Sequence, residues 1–184
     1  NAVETLLVNE QIAKDFFPQF AQAIKENDIT VKACTKTHAF LKTSERATDQ
    51  DWKTEYGDKT LSVKVVSDTT SAIDHINNFS SHHTDCILSE DKIQQDLFLN
   101  SIDSSSVFVN ASTRFADGFR FGLGAEVGIS TAKTHARGPV GLEGLVIYQY
   151  QMIGNGQIVK DYTGENPKKF LHQTLSTQKK EKDS

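Results

Sequence analysis

The pattern of apolar and polar residues predicts alternating strands and helices from the start of the chain. Val3 to Val8 form an apolar run typical of a strand. Asn9 then offers a helix N-cap, and the apolar residues after it recur every four positions as far as Ile24. Because proline costs about 3 kcal/mol inside a helix, Pro18 predicts two short helical pieces rather than one helix.

The same alternation continues to residue 109 and predicts an α/β fold. Helices are expected over residues 72–79, capped by Asp68, and over residues 92–101, with Ile93, Leu97 and Phe98 facing inward. Residues 43–53 are polar and predict a surface loop. Residues 61–65 alternate as in a half-exposed strand. This order predicts a mainly parallel sheet flanked by helices, with further strands at residues 31–34, 85–88 and 106–109.

Two β-rich runs near the end of the chain predict a C-terminal β hairpin. They lie on either side of Gly154, Asn155 and Gly156. Strands outside the main sheet commonly join subunits, so residues 144–164 are expected to serve homo-oligomerisation. Residues 1–143 then form the main domain, and the polar residues 165–184 form a partly disordered tail.

Composition narrows the functional classes. At 184 residues the chain suits one core, and 37% hydrophobic residues with a formal net charge of -4 give no general attraction for nucleic acid or an anionic membrane. No apolar run reaches the roughly 18 residues of a membrane span, and a signal-peptide pattern is absent, which favours a cytoplasmic protein. Cys34 and Cys86 have no partners at metal-ligand spacing, and the adjacent His82 and His83 point to opposite sides, so no metal site is expected.

The segment from Arg114 to Pro139 holds three arginines and five glycines. Its glycine spacing differs from the dinucleotide-binding fingerprint. Glycines this dense let the backbone approach another segment or a ligand closely, and arginines suit paired hydrogen bonds to carboxylate or phosphate. The arginines could equally pair with Asp117, Glu126 or Glu143 and hold the loop in place. His135 is likewise either an anion contact or a structural imidazole.

Several long motifs resemble the gamma-glutamyl phosphate reductase (glutamate-5-semialdehyde dehydrogenase) family of the aldehyde dehydrogenase superfamily. They are NAVETLLV, TEYGD, AIDHINNFSSHHTDCI, VFVNASTRFADGFRFGLGAEVGIS and HARGPVGLEGL. The resemblance runs from Asn1 to about Gln157 and implies an aldehyde dehydrogenase-like catalytic domain from the C-terminal part of such an enzyme. The reductase half of the bifunctional pyrroline-5-carboxylate synthase carries nearly the same motifs, so glutamate 5-kinase is a possible partner.

The resemblance implies NADPH-dependent reduction of L-glutamyl 5-phosphate to glutamate 5-semialdehyde and phosphate, through a cysteine thioester, in proline biosynthesis. The family's nucleophilic cysteine directly precedes NAVETLLV and would therefore precede Asn1. The nucleotide-binding domain also lies upstream in the family. We expect a fragment that contains no catalytic residue and is inactive alone. The competing hypothesis is an anion-binding or assembly module without chemistry.

The resemblance also implies particular site residues. Glu55 in TEYGD matches the glutamate that binds the nicotinamide ribose, although a solvated strand-end charge is the alternative. The AIDHINNFSSHHTDCI segment departs from the family at Phe79, where histidine or tyrosine is usual, and its His83 would orient a loop at the active-site wall. The residues implied in substrate binding are Asn110, Ser112, Thr113, Arg114, Arg120, Ser130, Thr131, His135 and Arg137.

Overall fold

The structure is a computed structural model, and it describes residues 3–134 and 136–170. Two compact units divide the chain, Asn1–Val146 and Ile147–Ser184. In the described part of the chain, no helix is long and apolar enough to cross a membrane.

The first unit begins with a four-stranded sheet in the order β1, β4, β2, β3. All three pairings in this sheet are parallel. The predicted mainly parallel α/β fold is therefore confirmed. The elements are β1 (Thr5–Asn9), α1 (Glu10–Glu26), β2 (Thr30–Ala33), α2 (Thr35–Phe40), β3 (Glu45–Arg46) and β4 (Thr60–Val66).

Two smaller sheets complete the first unit. Strands β5 and β6 are parallel to each other, whereas β7 and β8 form an antiparallel pair within the glycine-rich segment. Short 3₁₀ turns follow at Thr113–Phe115 and Leu142–Leu145. The elements are α3 (Thr69–Phe79), β5 (Thr84–Ile87), α4 (Lys92–Ser101), β6 (Ser106–Val109), β7 (Gly128–Ser130) and β8 (Gly138–Val140).

Helix α1 is one helix, so the predicted break at Pro18 is wrong. Asn9 caps it as expected, since its side-chain oxygen accepts a hydrogen bond from the Gln11 N–H at 2.8 Å. Phe17 is buried on the sheet, and Phe16 stacks on Phe20 across the proline. Burial of apolar rings on both sides of Pro18 offsets the lost backbone hydrogen bond.

Strand β4 is buried at five of its seven positions, with only Thr60 and Lys64 partly exposed, so the expected half-exposed strand is also wrong. It lies between β1 and β2, and Ser62 and Val63 are fully buried. The Ser62 hydroxyl is satisfied by the Tyr56 hydroxyl at 2.7 Å, which allows a polar residue in the core.

Helix α4 has the predicted bounds but only part of its predicted inward face. Phe98 is buried, whereas Ile93 is 75% exposed and Leu97 is 40% exposed. The first turn of α4 carries Ile93 on a side that the described residues do not cover. The predicted surface loop at residues 43–53 contains the short strand β3 and a 3₁₀ turn at Asp51–Lys53.

The predicted C-terminal hairpin is absent from the described residues. Among the described residues of the second unit, 147–170, the structure has one 3₁₀ turn, Val159–Tyr162, and no strand. A strand needs a partner for its backbone N–H and C=O groups, and residues 147–158 pair with no strand among the described residues. Their role in oligomerisation stays a prediction, and the part of the predicted tail beyond residue 170 lies outside the described residues. The most exposed apolar side chains, at 93–98%, are Ile147, Tyr148, Tyr150, Met152 and Ile153.

Candidate functional site

The amino ends of the parallel strands form one edge of the fold, which we call the amino edge. Glu4 directly precedes β1, and Glu55 lies in the loop that enters β4. The backbone N–H of Ser62 donates to the Glu4 carbonyl at 2.9 Å, which holds the two strands in register. Burial, and then the charge of Glu55, raise the pKa of the Glu4 carboxyl. Glu4 and Glu55 therefore act on each other electrostatically at this edge.

The loop that carries Glu55 is anchored through its neighbour Tyr56. The Tyr56 hydroxyl lies 2.7 Å from the Ser62 hydroxyl and donates to Asp51 Oδ1 at 3.1 Å. The Thr48 hydroxyl and backbone N–H each donate to Asp51 Oδ2 at 2.7 Å and lower the pKa of that carboxyl. The loop is thus tied to the buried centre of β4 while the Glu55 side chain stays exposed.

The amino ends of β5 and β6 bring both predicted histidines to this edge. His82 has a left-handed backbone with φ of 59°, and its Nδ1 lies 2.8 Å from the Asp103 carbonyl. His83 Nδ1 lies 2.6 Å from the Thr84 hydroxyl, and the His83 carbonyl accepts from the Ser106 N–H at 3.0 Å. Both residues therefore join the loop before β5 to the start of β6. Asp85 of β5 adds a smaller contribution to the raised pKa of Glu4.

Arg137 is held at the same edge by Asp103. Its Nη1 donates to Asp103 Oδ1 at 2.9 Å, its Nη2 to the Asp103 carbonyl at 3.0 Å, and its Nε to the Thr131 carbonyl at 3.0 Å. Lys133 Nζ lies 2.8 Å from Asp103 Oδ2. Hydrogen bonds from Lys133 and then Arg137 lower the pKa of the Asp103 carboxyl. The Arg137 guanidinium, the Lys133 ammonium, the Asp103 carboxylate and the Thr131 carbonyl thus form one cluster just before β6.

The structure separates the predicted substrate residues into two groups. Thr131 and Arg137, with Ser130 next to Thr131 in the sequence, belong to the group around Asp103, the residue that lies just before β6. The other described substrate residues lie in the loop after the end of β6. His135 lies outside the described residues. The second group consists of Asn110, Ser112, Thr113, Arg114 and Arg120.

Asn110 fixes the carboxyl ends of β5 and β6. It has φ of 51°, and its side-chain amide exchanges two hydrogen bonds of 2.9 Å with the backbone of Ser89. Ser112 then caps the short 3₁₀ turn by accepting from the Arg114 N–H at 3.2 Å. These polar groups shape the loop after β6.

The structure also bears on the alternative interpretation of the arginines as loop anchors. Arg120 pairs with Asp117 at 3.1 Å, as that alternative expects, and also donates to the Arg114 carbonyl at 2.9 Å. Glu126 accepts from the Gly118 N–H at 2.7 Å. A side chain at Gly118 would place its Cβ 2.8 Å from the Ala125 carbonyl, so this glycine serves close packing of two segments of the chain.

A cleft of about 340 Å³ is lined by Ala136 and by residues 139–144, and Arg137 itself is not among its lining residues. Leu123, Pro139 and Leu142 give it apolar walls, and Glu143 supplies its one acidic group. Such a cleft suits a short aliphatic chain that carries a polar end.

The described residues offer no group of three or more histidine, cysteine or acidic side chains that could hold a metal ion. Both cysteines have structural partners. Burial opposes ionisation of the Cys34 thiol, but hydrogen bonds, first from Thr37, outweigh it and lower its pKa. Cys86 donates to the Ala111 carbonyl at 3.1 Å.

Sequence reasoning missed four charged residues at the amino edge: Glu4, Asp85, Asp103 and Lys133. A usable signal existed for Asp103, because it closely precedes the predicted strand at residues 106–109. Glu4 lies within the strand predicted for residues 3–8, so its place at the amino edge was not predicted. Lys133 and Asp103 lie far apart in the sequence and come together only in the folded chain, so no local sequence pattern could predict their ion pair.

The fold defines an aldehyde dehydrogenase-like α/β class. A crystal structure of gamma-glutamyl phosphate reductase from Thermotoga maritima resembles it with a TM-score of 0.79 and 43% identity, covering 84% of this chain and 37% of that one. Proteins named gamma-glutamyl phosphate reductase from Methanococcoides burtonii and Trichormus variabilis are 50% and 54% identical over 96% and 94% of this chain. No family model matches the chain.

Within this class, the chain is homologous to gamma-glutamyl phosphate reductase. It spans about 40% of the length of the curated relatives that it matches.

Proposed function

We propose that the chain is part of an NADPH-dependent cytoplasmic reductase that converts L-glutamyl 5-phosphate to L-glutamate 5-semialdehyde and phosphate in proline biosynthesis. The observation that carries this proposal is identity of 50–54% over 94–96% of the chain to proteins named gamma-glutamyl phosphate reductase. The amino edge supports it, because it carries the exposed Glu55 as well as side chains that can bind anions.

Glu55 fits the proposed contact with the coenzyme. Its carboxylate is exposed, and the Tyr56–Ser62–Asp51 hydrogen bonds fix the position of the loop that carries it. Two carboxylate oxygens can accept hydrogen bonds from the two hydroxyls of a ribose. NADPH, when bound, supplies the hydride. The contribution of this chain is to hold the ribose in one orientation.

The substrate carries a carboxylate and a phosphoryl group, and the amino edge offers donors for such anions. Ser130, Thr131 and Arg137 lie at this edge, together with Lys133. We therefore favour this group as the substrate contact, with His135 adjacent to it in sequence. The group after β6, including Arg114 and Arg120, is the second candidate surface for the substrate.

The test uses the protein at the full length of its relatives and follows NADPH oxidation with L-glutamyl 5-phosphate. Glu55→Gln should raise the KM for NADPH about 10-fold while leaving the KM for substrate nearly unchanged, because one charge-assisted hydrogen bond is lost. Glu90→Gln, an exposed carboxylate after β5, is the matched control and should change neither constant. Absence of NADPH oxidation by the unsubstituted protein would refute the proposed function.

A further inference from the structure

Asp103 brings two cations to one carboxylate. Lys133 Nζ lies 2.8 Å from Oδ2, and Arg137 Nη1 lies 2.9 Å from Oδ1. The two cations therefore already bind two oxygens that share one central atom. A phosphoryl group presents two oxygens in a similar arrangement and carries more negative charge than a carboxylate.

We propose that Lys133 and Arg137 form a phosphoryl-binding site in which Asp103 is the resident counter-ion. The assignment to the phosphoryl group of L-glutamyl 5-phosphate rests on the proposed function, whereas phosphate binding itself does not. The three charged groups Lys133, Arg137 and Asp103 together carry +1, which favours an incoming dianion at this cluster.

Both cations keep donors for such a ligand. A guanidinium has five N–H groups, and Arg137 uses three of them among the described residues, two on Asp103 and one on Thr131. An ammonium has three, and among the described residues Lys133 uses one, on Asp103. The Lys133 side chain is 68% exposed and that of Asp103 is 47% exposed, so an anion can reach them from solvent.

The Arg137 side chain does not depend on the Asp103 carboxylate alone. Two of its hydrogen bonds go to the backbone carbonyls of Thr131 and Asp103. Its guanidinium should therefore keep its position when the carboxylate is neutralised. The Asp103 carboxylate therefore competes with a bound anion for the two cations and is not needed to position Arg137.

Isothermal titration of inorganic phosphate into the 184-residue chain, in a low-salt buffer without phosphate, tests the site. Lys133→Met should weaken binding about 10-fold, because one charge-assisted contact is lost. Asp103→Asn should tighten binding about fivefold, because a competing negative charge is removed. Lys36→Met is the matched control: Lys36 is 65% exposed, pairs with Glu10 at 3.0 Å, and should leave binding unchanged.

The proposal would be overturned by equal effects of Lys133→Met and Lys36→Met, or by weaker phosphate binding in Asp103→Asn. Acetyl phosphate, titrated separately, should bind with the same dependence on Lys133 if the site accepts a substrate phosphoryl group. Binding of L-glutamate but neither phosphate compound would also contradict it. Phosphate binding with these dependences, together with a full-length protein that shows no reductase activity, would leave the site standing and refute only the proposed function.

Discussion

His75 is a buried imidazole beside a lysine. It is 5% exposed, and Lys64 Nζ lies 3.0 Å from its Nδ1. The rings of Trp52 and Phe79 pack against it at 5.3 and 4.7 Å. Its Nε2 has no hydrogen-bond partner among the residues that the structure describes. Burial and then the Lys64 charge lower the pKa of His75 to about 4.

We expect this imidazole to make stability depend on pH. Its folded pKa of about 4 lies below the ordinary value of 6.5, so the unfolded chain binds the proton more readily. The contribution is fully present above pH 6.5 and is lost as the pH falls from 6.5 towards 4. Urea unfolding at pH 7.5 and 5 should show a loss of about 2 kcal/mol from this group. The His75→Gln variant should show a smaller difference between the two pH values, and an equal difference would contradict the assignment.

The residue scale shows which local signals sufficed. Asn9 and Asp68 were predictable as helix caps, because a capping side chain bonds to residues two or three positions away. The partners of Asp103 lie about 30 positions away, so no sequence spacing could indicate them. The position of Glu55 could be predicted only from the family resemblance, since an exposed carboxylate in a loop has no pattern of its own.

At the scale of elements, α1 shows how tertiary packing overrides helix propensity. The Phe16 and Phe20 rings stack at 5.2 Å, and Phe17 stacks on Phe40 of α2 at 5.0 Å. These contacts hold both halves of the helix in line although Pro18 lies between them. The sequence predicted the helix and its start correctly but could not weigh burial against the proline.

Replacing this proline should stabilise the protein. Pro18→Ala restores one backbone donor and removes the ring from the helix interior, while the unfolded chain gains some entropy. We expect a net gain of about 1–2 kcal/mol in the free energy of unfolding, measured in urea. Pro139→Ala in β8 is the control and should give no such gain. A Pro18→Ala variant that is no more stable than the parent would show that the ring contributes packing of its own.

At the scale of the whole molecule, the two units differ in what could be predicted. The first has strands and helices that follow from periodicity, and its prediction failed mainly at central β4, where a buried serine imitates an exposed position. In the second, the described residues lack the predicted hairpin, because β propensity cannot say where a strand finds its partner. The sequence likewise could not show that the predicted substrate residues fall into two groups, because they come from several segments that are distant along the chain.

The exposed apolar residues of the second unit predict self-association. Tyr150 is 97% exposed and Ile153 is 98% exposed, and contiguous apolar surface of this kind marks interaction sites. Deleting residues 147–162 should convert a homo-oligomer into a monomer, measured by light scattering. Deleting residues 165–184 is the control and should leave the mass of the assembly unchanged apart from the missing residues. Persistence of the oligomer after the first deletion would contradict the role of this segment.

The parallel pairing of β1 with β4 sets an order of events during synthesis. Thr5 of β1 pairs with Ser62 of β4, so β1 cannot pair with β4 until about 60 further residues have been made. At about 5–20 residues per second, the ribosome needs several seconds to make them. Throughout that interval Leu6, Leu7 and the apolar face of α1 lack their final cover. Nascent chains of this protein are therefore expected to need protection by chaperones until β4 emerges.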